Sequence, residues 1–333
     1  MVECTVKTPH RLSLVWWGTD VKDYYNQYWW ISINFAIDLF SFCTIKDNSN
    51  WWIILRSIDL KQEYKSNDLS WIYTDIDAFR LCKWVYERIL RQFKIDWFSF
   101  EITTNSIVPV WSWLWWSSSM LISVLKAFLK YLGIEYTKEM LWDLAYQIER
   151  EDLWIKWWVQ DQLCATYGWF NVYYLSNEWI KISPLNYPPL THWLVLVYTW
   201  ISRDWSILMN QSESKVKSWS EEKINSLNRT KEKAIRFLEM MKIWDSKWIH
   251  ETINNSRMNK ISTIDEDKKK IIMNIWDTWL DNWAKSWRLL WAWNWGFMVF
   301  FCDENKINNV WNSIKETVSQ TEIFYPKIVE NVD

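Results

Sequence analysis

The ratio of tryptophan to glycine is the feature that most limits what this chain can fold into. Its 333 residues include 33 tryptophans and only 4 glycines, whereas an average protein has roughly 7% glycine. Tight turns need a positive φ angle, which glycine adopts without steric cost. An oversized side chain at a packed site costs about 1–3 kcal/mol. About ten such sites would therefore cancel a total stability of about 5–15 kcal/mol.

The tryptophans cluster where a chain needs glycine. The segment 110–119, VWSWLWWSSS, becomes VGSGLGGSSS when tryptophan is replaced by glycine, which is a glycine-rich turn before a serine-capped helix. Gly18, Gly168 and Gly296 lie beside tryptophans in the same kind of cluster. We interpret most of the tryptophans as glycine positions, encoded by UGA codons that some bacterial lineages decode as glycine and others as tryptophan. The literal alternative is a tryptophan-rich module that binds glycans without consuming ATP.

Charge and cysteine content exclude several classes of protein. The net charge of −2 predicts no general attraction to nucleic acid or to an anionic membrane. Five scattered cysteines without a CxxC spacing indicate neither a disulfide framework nor a zinc site, and they favour a reducing, cytoplasmic location. The longest mostly apolar run, 289–302, is too short to span a bilayer, and no signal peptide is visible. The oligomeric state is not indicated.

Hydrophobic periodicity predicts a mixed α+β fold. Predicted strands lie at 4–15, 31–45, 53–58, 98–103, 194–199, 296–301 and 323–329. Predicted helices lie at 75–93, 137–150, 220–243 and 264–275, with a further one that begins at the serines 117–119 and ends at Gly133. The proline-rich segment 184–189 is the best candidate for a boundary between two subdomains.

The glycine-like turn and the helix after it predict a phosphate-binding site. Glycines let successive backbone N–H groups approach phosphate oxygens, and the helix N-terminus adds its positive dipole end. No lysine follows in a Walker arrangement, and an ordinary loop is the alternative. The predicted nucleotide-binding residues are Trp111, Ser112, Trp113, Leu114, Trp115, Trp116, Ser117, Ser118 and Ser119.

Four segments in this order resemble the motifs of the GHMP kinases, the family of galactokinase and of homoserine, mevalonate and phosphomevalonate kinases. They are 8–20, TPHRLSLVWWGTD; 106–128, around the turn; 148–171, with IERE, WWVQDQ and YGWFN; and 281–297, DNWAKSWRLLWAWNWGF. The resemblance implies a two-lobed α+β fold. Its N-terminal nucleotide-binding domain, 1–185, would be like ribosomal protein S5 domain 2, and its C-terminal domain, 186–333, would be ferredoxin-like.

Within the family, the motifs are most similar to those of kinases for a heptose 7-phosphate. The resemblance implies ATP-dependent phosphorylation of the anomeric hydroxyl, with ATP, Mg²⁺ and a sugar phosphate as partners. A kinase for galactose, fucose or a uronic acid is the alternative enzyme. A non-catalytic sugar-binding relative is the alternative from another class.

The resemblance also implies two catalytic residues. Asp161 matches the carboxylate that accepts or orients the proton of the attacking hydroxyl. Arg11 matches a cation that favours the ionised form of that carboxylate. Their structural alternatives are a helix-capping aspartate and an arginine on a strand surface.

Metal and substrate residues are implied in the same way. Glu149 and Ser117 match the oxygen ligands of Mg²⁺, and the alternative for Glu149 is an exposed helix charge paired with Arg150 or Lys156. Asp20 could instead be a simple turn residue. The residues implied to bind the sugar phosphate are Thr19, Asp20, Gln160, Arg203 and Asn294. The three histidines, His10, His192 and His250, lack metal-ligand spacing and are expected to be structural.

Overall fold

The computed structural model describes most of the chain, and every structural statement below concerns those residues. They are 3–15, 22–67, 77–109, 116–154, 159–185, 194–198, 221–261, 270, 273, 284–291, 296–309, 312–313 and 322–329. Within these ranges, no helix has the length and apolar character needed to cross a bilayer.

A seven-stranded mixed sheet is organised around one long strand. The strands are β1 (Glu3–Val15), β2 (Trp30–Asp47), β3 (Ile53–Ser57), β4 (Gln62–Ser66), β5 (Phe100–Ser106), β6 (Phe170–Leu175) and β7 (Ile180–Pro184). The order is β4-β3-β5-β2-β6-β7, and β1 runs antiparallel along the other edge of β2. The 18-residue β2 pairs with β6 through its first part and with β5 through its last part. It therefore positions β1 beside both halves of the sheet.

A second sheet has four antiparallel strands in the order β11-β8-β10-β9. They are β8 (Leu194–Tyr198), β9 (Ala284–Trp291), β10 (Gly296–Cys302) and β11 (Glu322–Phe324). The helices are α1 (Lys22–Tyr28), α2 (Arg80–Phe93), α3 (Trp116–Tyr131), α4 (Lys138–Gln147), α5 (Gln160–Tyr167), α6 (Glu221–Lys242) and α7 (Ser246–Ile261). The α+β prediction is confirmed.

Helix α3 is buried along nearly its whole length, and it is held against the first sheet by serine side chains. Ser119 Oγ donates to the carbonyls of Thr8 and Pro9 on β1, each at 3.0 Å. Ser123 Oγ donates to the carbonyl of Ser41 on β2 at 3.1 Å. These bonds satisfy hydroxyls that would be costly to bury alone. They fix the first turns of α3 beside β1.

Strand β1 also contacts the second sheet. An apolar cluster joins Leu12 and Leu14 of β1 to Leu196 of β8 and Val299 of β10. A separate cluster lies between the first sheet and helices α2, α3 and α4. The strand therefore runs between the two halves of the molecule. The predicted division at 184–189 falls mostly outside the described residues, and the domain bounds stay a prediction.

The predicted strand 323–329 is wrong beyond residue 324. Strand β11 ends at Phe324, and Ile328 makes only an isolated bridge to Ile37. Pro326 lies between them and has no N–H group to donate to a ladder. The predicted helix 137–150 ends earlier as an α-helix, because Ile148–Asp152 forms a π-helical turn. The predicted helix 264–275 lies almost entirely outside the described residues.

Tryptophan occupies an unusual share of the left-handed backbone positions. Among the described residues, seven that are not glycine have a positive φ, and five of them are tryptophan. They are Trp29, Trp51, Trp154, Trp169 and Trp244. A left-handed backbone costs a residue with a Cβ roughly 1–2 kcal/mol.

The exposure of these side chains strengthens the glycine interpretation. Trp51 and Trp154 are 69% and 76% exposed, so little packing compensates for their backbone conformation. Trp169 follows Gly168, which is also left-handed. Glycine would adopt such angles freely. Two other tryptophans, Trp30 and Trp287, are instead almost fully buried in strands, as genuine core residues would be.

Candidate active site

A buried ion pair joins β1 to the start of α5. Arg11 Nε donates to Asp161 Oδ1 at 2.5 Å, and Arg11 Nη2 contacts the same oxygen. The two side chains are only 2% and 5% exposed. Val159 is at the N-cap position of α5, so the carboxylate of Asp161 serves the ion pair and not the helix cap. The alternatives of a capping aspartate and a surface arginine are therefore wrong.

Amide and hydroxyl groups of β2 surround this pair. Arg11 Nη1 donates to Asn34 Oδ1 at 3.4 Å, and Asn34 Nδ2 donates to Ser32 Oγ at 2.7 Å. Gln160 Oε1 accepts from Ser32 Oγ at 2.6 Å and from Asn34 Nδ2 at 3.1 Å. All five side chains are buried. The network holds the guanidinium and the carboxylate in one orientation, and it places Gln160, predicted to bind the sugar, next to the predicted catalytic residues.

A second buried carboxylate lies on the π-helical turn. Glu149 is 3% exposed, which excludes the alternative of an exposed helix charge. Ser118 Oγ donates to Glu149 Oε1 at 3.0 Å, and Gln162 Nε2 donates to Glu149 Oε2. The hydroxyl that contacts Glu149 thus belongs to Ser118, whereas the sequence predicted Ser117, which is exposed.

The two buried carboxylates, Glu149 and Asp161, are linked by the effect of the Asp161 charge on the pKa of Glu149. Burial raises the pKa of Glu149 to about 7; nearby Arg150 lowers it, and the charge of Asp161 raises it further. Burial also raises the pKa of Asp161, while its ion pair with Arg11 opposes that shift. Like charges that are close together disfavour ionisation of both groups. The charge of Asp161 therefore acts on the Glu149 carboxylate.

The Glu149 cluster fits a hard divalent cation. Its carboxylate and the Ser118 hydroxyl are oxygen donors, which Mg²⁺ prefers, and Mg²⁺ commonly takes one or two protein carboxylates together with phosphates and water. Within the described ranges, no group of three or more His, Cys, Asp or Glu side chains is arranged to hold a metal. A site with one carboxylate agrees with a cation shared with nucleotide phosphates.

Several predicted site residues lie outside the described residues. These are Trp111, Ser112, Trp113, Leu114, Trp115, Thr19, Asp20, Arg203 and Asn294. Trp116 and Ser117 begin α3, and the indole Nε1 of Trp116 donates to Asp59 Oδ2 at 3.0 Å. The predicted phosphate-binding turn thus leads directly into the helix whose third residue, Ser118, contacts Glu149.

The described histidines have structural partners. His10 is buried on β1, and its Nε2 is 3.2 Å from the hydroxyls of both Ser41 and Ser106. His250 Nδ1 is 2.6 Å from Ser286 Oγ, and burial lowers its pKa to about 4. His192 lies outside the described residues.

Comparison with known proteins agrees with this geometry. Residues 80–168, which contain α3, Glu149 and Asp161, match the family described as GHMP kinases N terminal domain. The chain is 29% identical over 329 residues to a D-glycero-alpha-D-manno-heptose 7-phosphate kinase from Campylobacter jejuni. That alignment covers 96% of this chain and 95% of the relative. Over residues 80–168 the chain is therefore similar to the N-terminal domain of the GHMP kinases.

Solved structures agree on the fold. A D-glycero-D-manno-heptose 1-phosphate kinase from Bacteriodes thetaiotaomicron superimposes with a TM-score of 0.77 at 24% identity, covering 99% of this chain and 97% of that one. Mevalonate kinase from Methanococcus jannaschii gives a TM-score of 0.76 at 18% identity, covering 99% of both chains. The match to the GHMP kinase domain and the full-length similarity to a curated kinase identify this chain as a phosphotransferase with an alcohol group as acceptor. Its relatives place it among the sugar kinases, and the family implies ATP as donor.

Three polar residues of this site carry no clear signal in the sequence. Gln162 was part of a recognised motif but received no role, although its amide donates to Glu149. Asn34 and Ser32 alternate with apolar residues on β2, and alternation does not say which polar side chains of a strand will be buried. Their pairing with Arg11 and Gln160 depends on contacts between distant parts of the sequence.

Proposed function

We propose that this kinase transfers the γ-phosphoryl group of ATP to the anomeric hydroxyl of D-glycero-D-manno-heptose 7-phosphate, giving the 1,7-bisphosphate. The observation that carries the proposal is the buried Arg11–Asp161 pair. The full-length similarity to a heptose 7-phosphate kinase supports the choice of sugar.

Asp161 serves as the group that accepts the proton of the attacking hydroxyl. The hydroxyl oxygen forms a bond to the γ-phosphorus, the bond to the ADP oxygen breaks, and the proton passes to the Asp161 carboxylate. Arg11 favours the ionised carboxylate that this step requires, because its guanidinium offsets the effect of burial. Phosphoryl transfer otherwise depends on positioning and charge neutralisation.

Glu149 and the serines at the start of α3 would hold Mg²⁺. When bound, the ion supplies charge neutralisation for the nucleotide phosphates. The Ser118 hydroxyl and the Gln162 amide orient the Glu149 carboxylate. Gln160, held by Ser32 and Asn34, would contact the sugar. We further propose a cytoplasmic location and the division into domains at 1–185 and 186–333.

A coupled assay of ADP release across a sugar panel tests the proposal. Heptose 7-phosphate should be turned over, and phosphorus NMR of the product should show the new phosphate at C1. Turnover of unphosphorylated galactose, fucose or a uronic acid, without turnover of the heptose phosphate, would instead identify another sugar-1-kinase. Sugar binding without ADP release from any substrate would indicate a non-catalytic relative or a glycan-binding module.

The glycine interpretation has a separate test. Peptide mass spectrometry of protein purified from its native host should show glycine at the tryptophan positions of residues 107–126. Tryptophan masses in that peptide would contradict the interpretation. They would also mean that the phosphate-binding turn is filled by indole rings, which would remove the predicted nucleotide site.

A further inference from the structure

A second buried arginine lies close to the Arg11–Asp161 pair. Arg288 on β9 is 4% exposed, and its Nη1 donates to the carbonyl of Leu14 on β1. Burial and the positive charge of Arg11 together lower the pKa of Arg288 to about 9. The two guanidinium groups are therefore near enough to repel each other. Arg288 remains charged at neutral pH.

Arg288 lacks a compensating anion in the described part of the chain. No carboxylate pairs with it there, and its buried Nε has no hydrogen-bond partner. The nearby carboxylate of Asp161 is already paired with Arg11. Leaving a buried charge uncompensated costs several kcal/mol. An anionic ligand would recover that free energy, so this cluster has the composition of an anion receptor.

The position of the cluster indicates which anion it receives. Arg288 donates to the carbonyl of Leu14 on β1, the strand that also carries Arg11, and Arg11 contacts Asp161, the group proposed to face the reacting hydroxyl. In a sugar phosphate kinase, the anion next to that hydroxyl is the phosphoryl group in transfer.

We propose that Arg288 is a further catalytic residue, whose guanidinium contacts the non-bridging oxygens of the transferred phosphoryl group. The proposal rests on the role given above to Asp161 but not on the identity of the sugar. The bond from Nη1 to Leu14 fixes the orientation of the guanidinium. Its other N–H groups then supply charged donors, which phosphate oxygens bind strongly.

Three variants separate this role from a structural one. Arg288→Met keeps the length of the side chain and removes its charge, while Arg288→Lys keeps the charge without the planar fork. Lys285→Met is the matched control, because Lys285 lies on the same strand but is 48% exposed and pairs with Asp303. The assay uses whichever sugar the wild-type enzyme phosphorylates, so a wrong sugar would disprove the proposed function without affecting this test.

The kinetic result expected for Arg288→Met is a fall in kcat of about 100-fold or more, as for the loss of one transition-state donor. KM for the sugar should change by less than about threefold, since the lost contact forms mainly in the transition state. Arg288→Lys should retain roughly a tenth of the activity because a point charge replaces the bidentate donor. A raised KM with unchanged kcat would overturn the proposal and assign Arg288 to the phosphate already on the sugar.

Binding of a transition-state mimic gives a readout that does not depend on turnover. ADP with aluminium fluoride and sugar should bind the wild-type enzyme and Lys285→Met more tightly than ADP and sugar alone. Arg288→Met should bind ADP normally but lose about 100-fold of that additional affinity. If Arg288→Met keeps this additional affinity for the mimic, Arg288 has only a structural role. If Arg288→Met does not fold, Arg288→Lys provides the test. A wild-type kcat and a wild-type affinity for the transition-state mimic in Arg288→Lys would overturn the proposal.

Discussion

The two buried carboxylates of the site differ in how their charge is balanced. Asp161 is paired with a buried arginine, whereas Glu149 accepts hydrogen bonds from the neutral Ser118 and Gln162. Burial raises the pKa of Glu149 to about 7, and it also raises the pKa of Asp161, where Arg11 opposes the shift. Asp161 is thus paired with the guanidinium of Arg11, whereas Glu149 is arranged to bind a metal cation. This difference separates the group that handles the proton from the group that would hold the metal.

The largest expected effect is that of Asp161→Asn. The amide cannot accept the hydroxyl proton, so kcat should fall on the order of 1,000-fold. Nucleotide binding, measured by titration calorimetry, should be preserved. Asp143→Asn is the control, because Asp143 is exposed on α4 and accepts a hydrogen bond from Gln147. Full activity of Asp161→Asn would show that the proposed mechanism is wrong.

Glu149→Gln should have the next largest effect. Loss of the carboxylate charge should lower kcat/KM by roughly 100-fold, and activity should then require a higher Mg²⁺ concentration. The measurement is a Mg²⁺ titration of the initial rate. Glu151→Gln is the control on the same turn, since Glu151 is 64% exposed and pairs with Arg88. An unchanged Mg²⁺ dependence in Glu149→Gln would leave Glu149 without a role at the metal.

Replacement of single serines tests which hydroxyl of α3 belongs to this cluster. Ser118→Ala removes the bond to Glu149, worth about 1 kcal/mol, so apparent Mg²⁺ affinity should fall roughly fivefold. Ser117→Ala should have a smaller effect, because Ser117 is exposed. The opposite order would favour Ser117, the residue that the sequence predicted.

The smallest expected effect is a pH dependence of stability without ligands. Glu149 has a pKa of about 7 in the folded protein against an ordinary value of 4.5, so the folded state favours the protonated form. The contribution of Glu149 to the free energy of unfolding is fully present below about pH 4.5 and is lost as the pH rises through about 7. The Tm should fall by a few degrees over this window. In Glu149→Gln, calorimetry should show a weaker dependence; an identical profile would contradict the assignment.

The fold was largely predictable because its strands and main helices carry strong apolar periodicity. Strand β2 and helix α3 lie within about two residues of their predicted bounds. Strands β6 and β7 were not predicted. Residues 170–175 are buried almost throughout, so they show no alternation of apolar and polar side chains.

The site was predicted at its charged residues but not in its detailed contacts. Arg11, Glu149 and Asp161 were singled out by motif, and the structure brings all three into one buried region. Which of Ser117 and Ser118 contacts Glu149 depends on the rotation of α3 about its axis, because successive helical residues point in different directions. Three consecutive serines cannot reveal that rotation from sequence alone.

The left-handed tryptophans also bear on how this kinase should be produced. A host with the standard genetic code would stop at the UGA codons we infer, and a host that decodes UGA as tryptophan would place an indole at each of them. A synthetic gene that spells those positions as glycine would relieve the backbone at Trp51, Trp154 and Trp244. It would also place glycine in the predicted phosphate-binding turn ahead of α3. Soluble yield and activity of the two gene versions, compared side by side, would then report on the genetic code of the source organism.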